Sequence, residues 1–468
     1  MNSIRHAVFV LSLALSGCIT PPKLAPEQQT IADYHLGLSS QASAPVPVSA
    51  WWSTFDDPQF DRLMEQALAD NPSLAQAMAR VREAQALADA RRAGLAPSVS
   101  YDAQEIRQRL SSHEPIPAPY KGSKRWLGSE GVNLSWDMDF WGRQAALLKQ
   151  ARSKAAAAAL DVASARLALS GAVAQAYIDL YRDDALADVA QLTEAQRRNI
   201  LEITRRRVQS GLDTNVELRE ASSAVPEAHV DMLQAQAAAA LDTHLLAALS
   251  GQGAGVYAEM RRPTLDPAAI LPLPAVLPAD LLGHRPDVLA ARDRIEGARA
   301  GQAAARAAFY PDIDLTAFAG TSAVGLGKLF VGNSAVYGAG PAIHLPVFDA
   351  GRLRAEYRGA AAEIDDAVSA YNESVLQAVR EASDQLSLVD ALSEQIVQQQ
   401  RSLDDAEAAY ELAEQRYRAG VSTYLTVLTA ETVVLNARRE HVALASEQAI
   451  ARVNLLLAVG GSFDPEAP

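Results

Sequence analysis

The 468-residue chain is poor in the side chains that most chemistry needs: it has one cysteine, Cys18. Without a second thiol no disulfide forms within it, and cysteine-paired zinc sites are excluded. The eight histidines (His6, His35, His113, His229, His244, His284, His344 and His441) are scattered, with no HExxH pair to hold a metal. Gly325-Leu326-Gly327-Lys328 has the look of a phosphate loop, but Leu329 follows where Ser or Thr is needed and no Gly stands five residues before Gly327. No catalytic residue, metal site or diffusible cofactor is assigned, and the chain reads as a non-enzyme. Basic charge is also scarce, with 42 Lys and Arg against 56 Asp and Glu, a net −14 and a pI near 5.1. A nucleic-acid backbone is bound through clustered Lys and Arg, and no such cluster stands out in the sequence. The acidic balance either keeps the protein soluble or lines a passage that favours cations. Long apolar runs are missing too. The best one, Ala155 to Ala174, carries Asp161 and Arg166, each costly at a bilayer centre. If the chain crosses a membrane, it does so with strands.

What the sequence does have begins at its N-terminus. Arg5, the short apolar core from Ala7 to Leu15, and then Leu15-Ser16-Gly17-Cys18 resemble the lipobox of a bacterial lipoprotein signal. Residues 1–17 are then a signal peptide, and Cys18 is the lipidation site that carries fatty acyl chains of the palmitate kind. Each buried CH₂ adds roughly 0.8 kcal/mol of membrane affinity, so several chains on one residue hold firmly. Ile19 follows, rather than the Asp that retains bacterial lipoproteins at the inner membrane, which favours outer-membrane lipid.

The rest of the chain is a duplication. Asn71-Pro72 and Ala96-Pro97 return as Arg285-Pro286 and Tyr310-Pro311, displaced by 214 positions. Gly142-Arg143, Gly211, Thr214 and Gly251 return as Gly351-Arg352, Gly420, Thr423 and Gly460, displaced by 209. The layout is a lipid-anchored segment over 18–70, repeat one over 71–251, a Pro- and Gly-rich linker over 252–284, repeat two over 285–460 and a tail over 461–468.

Each repeat opens with a helix, Ser73 to Leu95 or Asp287 to Phe309, bounded by prolines. Two strand-like segments follow. Val132, Leu134, Trp136, Met138 and Phe140 alternate with Asn133, Ser135, Asp137 and Asp139, one apolar and one polar face. Its partner spans Pro97 to Leu110. Repeat two offers Ile313, Leu315 and Ala317, then Tyr337, Ala339, Ile343 and Leu345, with polar loops predicted over Ser111 to Arg125 and Thr321 to Ser334. On alternation alone, each pair is either a barrel wall or an exposed hairpin on a soluble domain.

Arg143 to Ser210 has no proline and one glycine, Gly171; Arg352 to Ala419 has no proline and only Gly359. Each stretch predicts one helix of about 100 Å at 1.5 Å per residue, longer than a globular domain needs. Ile364, Val368, Tyr371, Val375, Val379, Ala382, Leu386, Val389, Leu392 and Ile396 recur three or four apart as a coiled-coil seam. Gly211 and Gly420 end these helices, and return helices run from Thr214 and Thr423, the first with Pro226 inside it and a kink predicted there.

Trp51-Trp52 with Phe55, Asp57-Pro58 and Leu63, then Arg285-Pro286-Asp287-Val288, then Gly340-Pro341 with Leu345-Pro346-Val347-Phe348-Asp349-Ala350-Gly351-Arg352, and finally Arg416-Tyr417-Arg418-Ala419-Gly420, stand in an order that resembles the outer-membrane efflux protein family, in its NodT-type lipoprotein branch of TolC-like channels. The resemblance implies a mainly helical protein with a membrane β-barrel: a homotrimer with a coiled-coil helical barrel and four strands per chain in a twelve-stranded wall. It implies a passive exit duct for drugs and other toxic small molecules. Its hairpin tips, at Gly211, Thr214, Gly420 and Thr423, meet a periplasmic adaptor protein joined to an inner-membrane, proton-driven efflux pump. It also implies a periplasmic gate at Leu425, Thr426 and Thr429. Relatives often carry aspartate at two of these positions; threonine stands at both here, with Glu431 and Glu217 as nearby carboxylates to substitute. The other reading of Thr426 and Thr429 is that they face a neighbouring helix. Two rivals stay open: a TolC-like duct for type I protein secretion, and a periplasmic coiled-coil lipoprotein without a pore.

Overall fold

The two long proline-free stretches after the strands, Arg143–Gln209 and Arg352–Arg418, each fold as one uninterrupted helix that ends just before a glycine. The computed structural model describes residues 50–113, 115, 117–269, 271, 285–461 and 463. Cys18 and the signal sequence, the linker from 272 to 284 and the tail from 464 lie outside the described residues. A short 3-10 turn, Trp51–Phe55, leads into α1 (Pro58–Asp70) and α2 (Pro72–Ala93). Then come β1 (Ser98–Arg109), β2 (Lys124–Asp137), α3 (Arg143–Gln209) and α4 (Asn215–Leu249). The second copy repeats the order as α5 (Pro286–Ala307), β3 (Asp312–Val324), β4 (Ala335–His344), α6 (Arg352–Arg418) and α7 (Tyr424–Ala458).

The chain forms two compact units, each drawing on both repeats. The first holds the four strands, α5, the end of α2 and the N-terminal portions of α3 and α6. Its sheet is an antiparallel meander in the order β1-β2-β3-β4, so the two repeats pair through β2 and β3. The first hairpin registers Val99 with Leu134 and Tyr101 with Val132, and Leu134 in turn lies opposite Ala317. The α5 helix packs Ile295 and Ala298 against Ile364 and Val368 of α6, the beginning of the predicted seam.

The second unit holds α1, α4, α7 and the rest of α3 and α6. Its largest core gathers Trp51, Phe55, Phe60 and Met64 with Tyr177, Ile178, Leu246 and Leu456. Phe60 stacks on Tyr177 at 4.8 Å, and the Tyr177 hydroxyl donates to Asp57 at 2.8 Å. Asp57 also caps α1 by accepting from Gln59 N. The Trp-Trp entry and Asp57-Pro58 are thus one folding device: buried aromatics fixed by a helix cap. Arg285 is another brace. It is buried and donates to Asp287, to Glu381 at 3.0 Å and to the Ala458 carbonyl at 2.9 Å. Along α6 the seam residues Val375, Ala382 and Leu392 are buried.

Three predicted boundaries move. β2 stops at Asp137, so Met138 and Phe140 do not continue its alternation. Asp139 takes a left-handed φ of 42° and turns back to accept from Gln144 N and Ala145 N, starting α3. β3 runs on to Val324, because small residues from Ala319 to Ala323 pair with β2, and the polar loop is shorter than Thr321 to Ser334. Leu345 falls outside β4. Pro226 lies inside α4, which stays helical throughout.

Candidate gate and channel wall

The sheet carries the first functional geometry. Register places Val99 and Tyr101, Leu134 and Val132, Leu315 and Ala317, and Ile343, Ala339 and Tyr337 on one face. Ser98, Ser100 and Asp102, with Asn133, Ser135 and Thr316, take the other. In water an apolar face would be buried, yet Val99, Tyr101, Ile343 and Tyr337 are 65%, 63%, 69% and 83% exposed. Among the described residues β1 and β4 each pair on one side only, so the sheet has two open edges. A row of residues 313 to 321 rises roughly 27 Å along a strand, enough with tilt for the apolar band of a membrane barrel.

The turns after β2 and β4 are rimmed with rings. Trp141 stacks on Tyr310 at 4.8 Å and donates to the Pro311 carbonyl at 2.8 Å. Phe140 and Phe348 stand exposed beside them in sequence. Asp349 accepts from Gly351 N and Leu353 N, doing for α6 what Asp139 does for α3. Hydrogen bonds from backbone hold its carboxylate below the ordinary aspartate range.

The helical hairpin tips carry the second. Gly211 and Gly420 have φ of 73° and 81°, the left-handed turn that glycine adopts without a Cβ clash. Each closes the same motif: Leu212 N donates to Arg207 O at 2.9 Å, and Val421 N to Arg416 O at 3.0 Å. Beyond the glycines the copies part. In the first, Thr214 caps α4 by accepting from Val216 N, while Glu217 reaches back to Thr214 N at 2.9 Å, a reciprocal capping box. In the second, Thr426 stands where Glu217 does, Thr423 makes no side-chain cap, and the two threonine hydroxyls meet at 3.2 Å.

Charged groups brace the first tip. Arg207 grips Asp213 through Nε at 2.7 Å and Nη2 at 3.0 Å, and donates Nη1 to the Tyr417 carbonyl at 2.8 Å. Its guanidinium lies 4.4 Å from the Tyr417 ring centroid. The Tyr417 hydroxyl donates to Asp213 at 2.6 Å, with Thr204 Oγ1 at 2.9 Å. The bonds from Arg207 hold Asp213 below its ordinary value of 3.8. Burial pushes Tyr417 up to about 12, reinforced by its bond to Asp213. Below the tip Arg197 joins three groups: Glu431 and Glu227 at 3.1 Å and the Ala224 carbonyl at 2.8 Å. Burial pushes Glu431 upward despite Arg197.

Leu425, Thr426 and Thr429 are all exposed, Leu425 at 68%. Leu425, Thr429 and Val433 share one stripe of α7, while Tyr424, Val427, Glu431 and Val434 bury the opposite one against a cluster with Ile200, Tyr410 and Tyr417. The predicted tip residues Gly211, Thr214, Gly420 and Thr423 do lie at the two turns. Both nearby carboxylates named from the sequence have partners of their own. Glu431 is buried and paired with Arg197, and Glu217 is spent on the cap. The brace of Arg207, Asp213 and Thr204 is not evident in the sequence. Its one signal is the failure of the repeat: Arg207 and Asp213 flank Gly211, whereas Arg416 and Ser422 flank Gly420.

An exposed apolar sheet face with open edges and glycine-tipped hairpins of 67-residue helices define a chain built to share in a membrane-spanning channel. The sequence matches the profile of the family described as outer membrane efflux protein over residues 63–252 and 277–461. It is 33% identical to the toluene efflux pump outer membrane protein TtgF of Pseudomonas putida, covering 98% of this chain and 97% of that one. It is 32% identical to the pyoverdine export outer membrane protein OpmQ of Pseudomonas putida, over the full length of both. The crystal structure of the outer membrane protein VceC from Vibrio cholerae superposes with a TM-score of 0.83 at 33% identity, covering 89% of this chain and 100% of that one. The chain belongs to the outer membrane efflux protein family. It is an outer-membrane efflux component, with the mainly helical, four-strand-per-chain fold of that family.

Proposed function

We propose that three copies of this chain close a twelve-stranded barrel in the outer membrane and a helical tunnel, through which toxic small molecules leave the periplasm unaltered. The observation that carries this reading is the four-stranded meander, apolar and exposed on one face and open at both edges. Natural membrane barrels need about eight strands or more, so further copies complete the wall. Leu425, Thr426 and Thr429 form the periplasmic constriction, and the tips around Gly211, Thr214, Gly420 and Thr423 dock a periplasmic adaptor that links the duct to a proton-driven inner-membrane pump. Lipid on Cys18 anchors each copy. Toluene and pyoverdine give their names to two relatives that each share about a third of their residues with this chain. That contrast supports a duct with little selectivity of its own, the choice of cargo resting with the pump. Transport without chemistry fits the engagement of Arg207, Asp213, Glu217 and Glu431 in braces and a cap.

Deleting the gene in its host and scoring susceptibility to dyes, detergents and antibiotics tests the export role. The expected result is sensitisation to several unrelated compounds, restored by the intact gene. Unchanged susceptibility, together with pores in reconstituted membranes, would leave a channel and remove drug export.

A further inference from the structure

Most arginines of this chain are spoken for. Arg197, Arg207 and Arg285 each serve two or more oxygens. The loop end of the first β-hairpin is different. Its cations are spread in sequence from Arg107 to Arg125 and form no visible run, but the register gathers them. Arg109 lies opposite Lys124, and Arg107 opposite Trp126. Counting in steps of two from Val99 and Tyr101, Arg107 and Arg109 fall on the apolar face of the sheet. Lys124 and Trp126 join them there from β2. All four are exposed. Among the described residues, none of the three cations meets a carboxylate in an ion pair. Arg107 lies 5.7 Å from the Trp126 ring centroid, and Arg109 donates to the Gly122 carbonyl at 3.4 Å. Lys121 adds a fourth charge in the loop, and among the described residues the opposing groups in register on that face are Glu105, one row inward, and Glu130, further from the loop.

Position decides what this cluster meets. The strand ends that lead into α3 and α6 lie at one edge of the apolar band, and the cluster lies just past the other, beside an interfacial Trp. In a membrane barrel such a rim sits at headgroup depth. Bare cations there are stabilised by anionic groups that lie in the same plane, and guanidinium is suited to bidentate contact with phosphate. We propose that Arg107, Arg109 and Lys124 form a headgroup-binding rim for phosphate-bearing lipid of the leaflet on the loop side. The rim sets the depth of the barrel and immobilises a shell of anionic lipid around it. The proposal rests on the reading that the apolar sheet face meets lipid.

The test uses the full-length, detergent-purified protein and two probes: lipid A bearing two phosphates, and the same lipid with the phosphates removed. Native mass spectrometry gives the bound fraction of each. Wild type should retain the phosphorylated lipid roughly tenfold more tightly, as expected for several cations near an anionic surface. The combined variant Arg107→Gln, Arg109→Gln and Lys124→Gln should bind both alike while keeping its oligomeric mass and pore conductance. Should that variant fail to assemble, Lys124→Glu alone should cut the preference several-fold. Equal binding of the two lipids by wild type, or an undiminished preference in the assembled variants, overturns the proposal. A label on Val132→Cys separates the two claims. Quenching from lipid with no phosphate preference refutes the rim alone; quenching only from water refutes the lipid-facing reading beneath it.

Discussion

The two hairpin tips descend from one sequence and end in the same glycine turn, yet one is braced and the other is bare. At the first, a capping box secures α4 and Asp213 clamps Arg207 and Tyr417 together. At the second, Ser422 replaces Asp213 and its hydroxyl is buried without a partner, Thr426 replaces Glu217, and the cap is lost. The second tip owes its hold to the first, since Tyr417 belongs to α6 and its partners to α3 and the loop after it. Duplication supplied two hairpins with the same glycine turn, and divergence left one capped and braced within itself and the other held through Tyr417. The exposed stripe of Leu425 and Thr429 is on the second.

The largest expected effect comes from removing the brace. Arg207→Ala leaves the half-buried Asp213 to the Tyr417 hydroxyl, and losing charged hydrogen bonds of this kind costs about 1.5–3 kcal/mol. Hydrogen exchange should accelerate at both tips, at 205–218 and 415–428. Protection lost at the first alone would break the claim that it holds the second. Next come the caps. Thr214→Ala should cost about 1 kcal/mol of helix stability in denaturant titration, whereas Thr423→Ala should cost close to nothing. Thr426→Glu should install the missing capping box, stabilise the start of α7 by about 0.5–1 kcal/mol and reduce resting leak through the pore. A destabilised α7 in that variant would contradict the account.

Acid and base should act on the tips in opposite senses. Asp213 is held below its ordinary 3.8, so its stabilisation is present above that value and is lost only as pH falls through the depressed one. Glu431 is raised above its ordinary 4.5; its favourable contribution is present below 4.5 and is lost as pH rises through the folded value. Glu431→Gln should therefore flatten the pH dependence of tip protection on the neutral side and leave the acid limb intact. An acid limb abolished by that variant would show the assignments reversed. The smallest effect on stability, and the clearest on function, belongs to Thr429→Lys. The residue is exposed and its hydroxyl bonds only to the Leu425 carbonyl at 2.9 Å. Reversal potentials should shift toward anions with the melting temperature unchanged, and unaltered selectivity would place Thr429 outside the constriction.

Much of the fold is legible in the sequence itself. Proline-free stretches mark the long helices to within a residue or two, because helix propagation needs only good formers and no breaker. The glycine tips are legible because a left-handed turn narrows the choice of residue. The strands are legible where large apolar side chains alternate, as from Val132 to Trp136, and less so where Ala319 to Ala323 pair through backbone alone. Asp139 hides the end of β2, since its sequence continues the alternation while its backbone turns. The Arg207 and Glu431 braces are hidden for another reason. They join residues more than 200 positions apart, so no local pattern announces them.

Chains with open sheet edges are expected to complete a water-filled passage together. Planar-bilayer recording on purified full-length protein, with the oligomeric mass of the same sample measured in detergent, addresses it most directly. The account predicts a trimer mass and discrete, stepwise conductance in wild type, with Thr429→Lys altering its ion preference. A monomer that adds no conductance to the bilayer would contradict it.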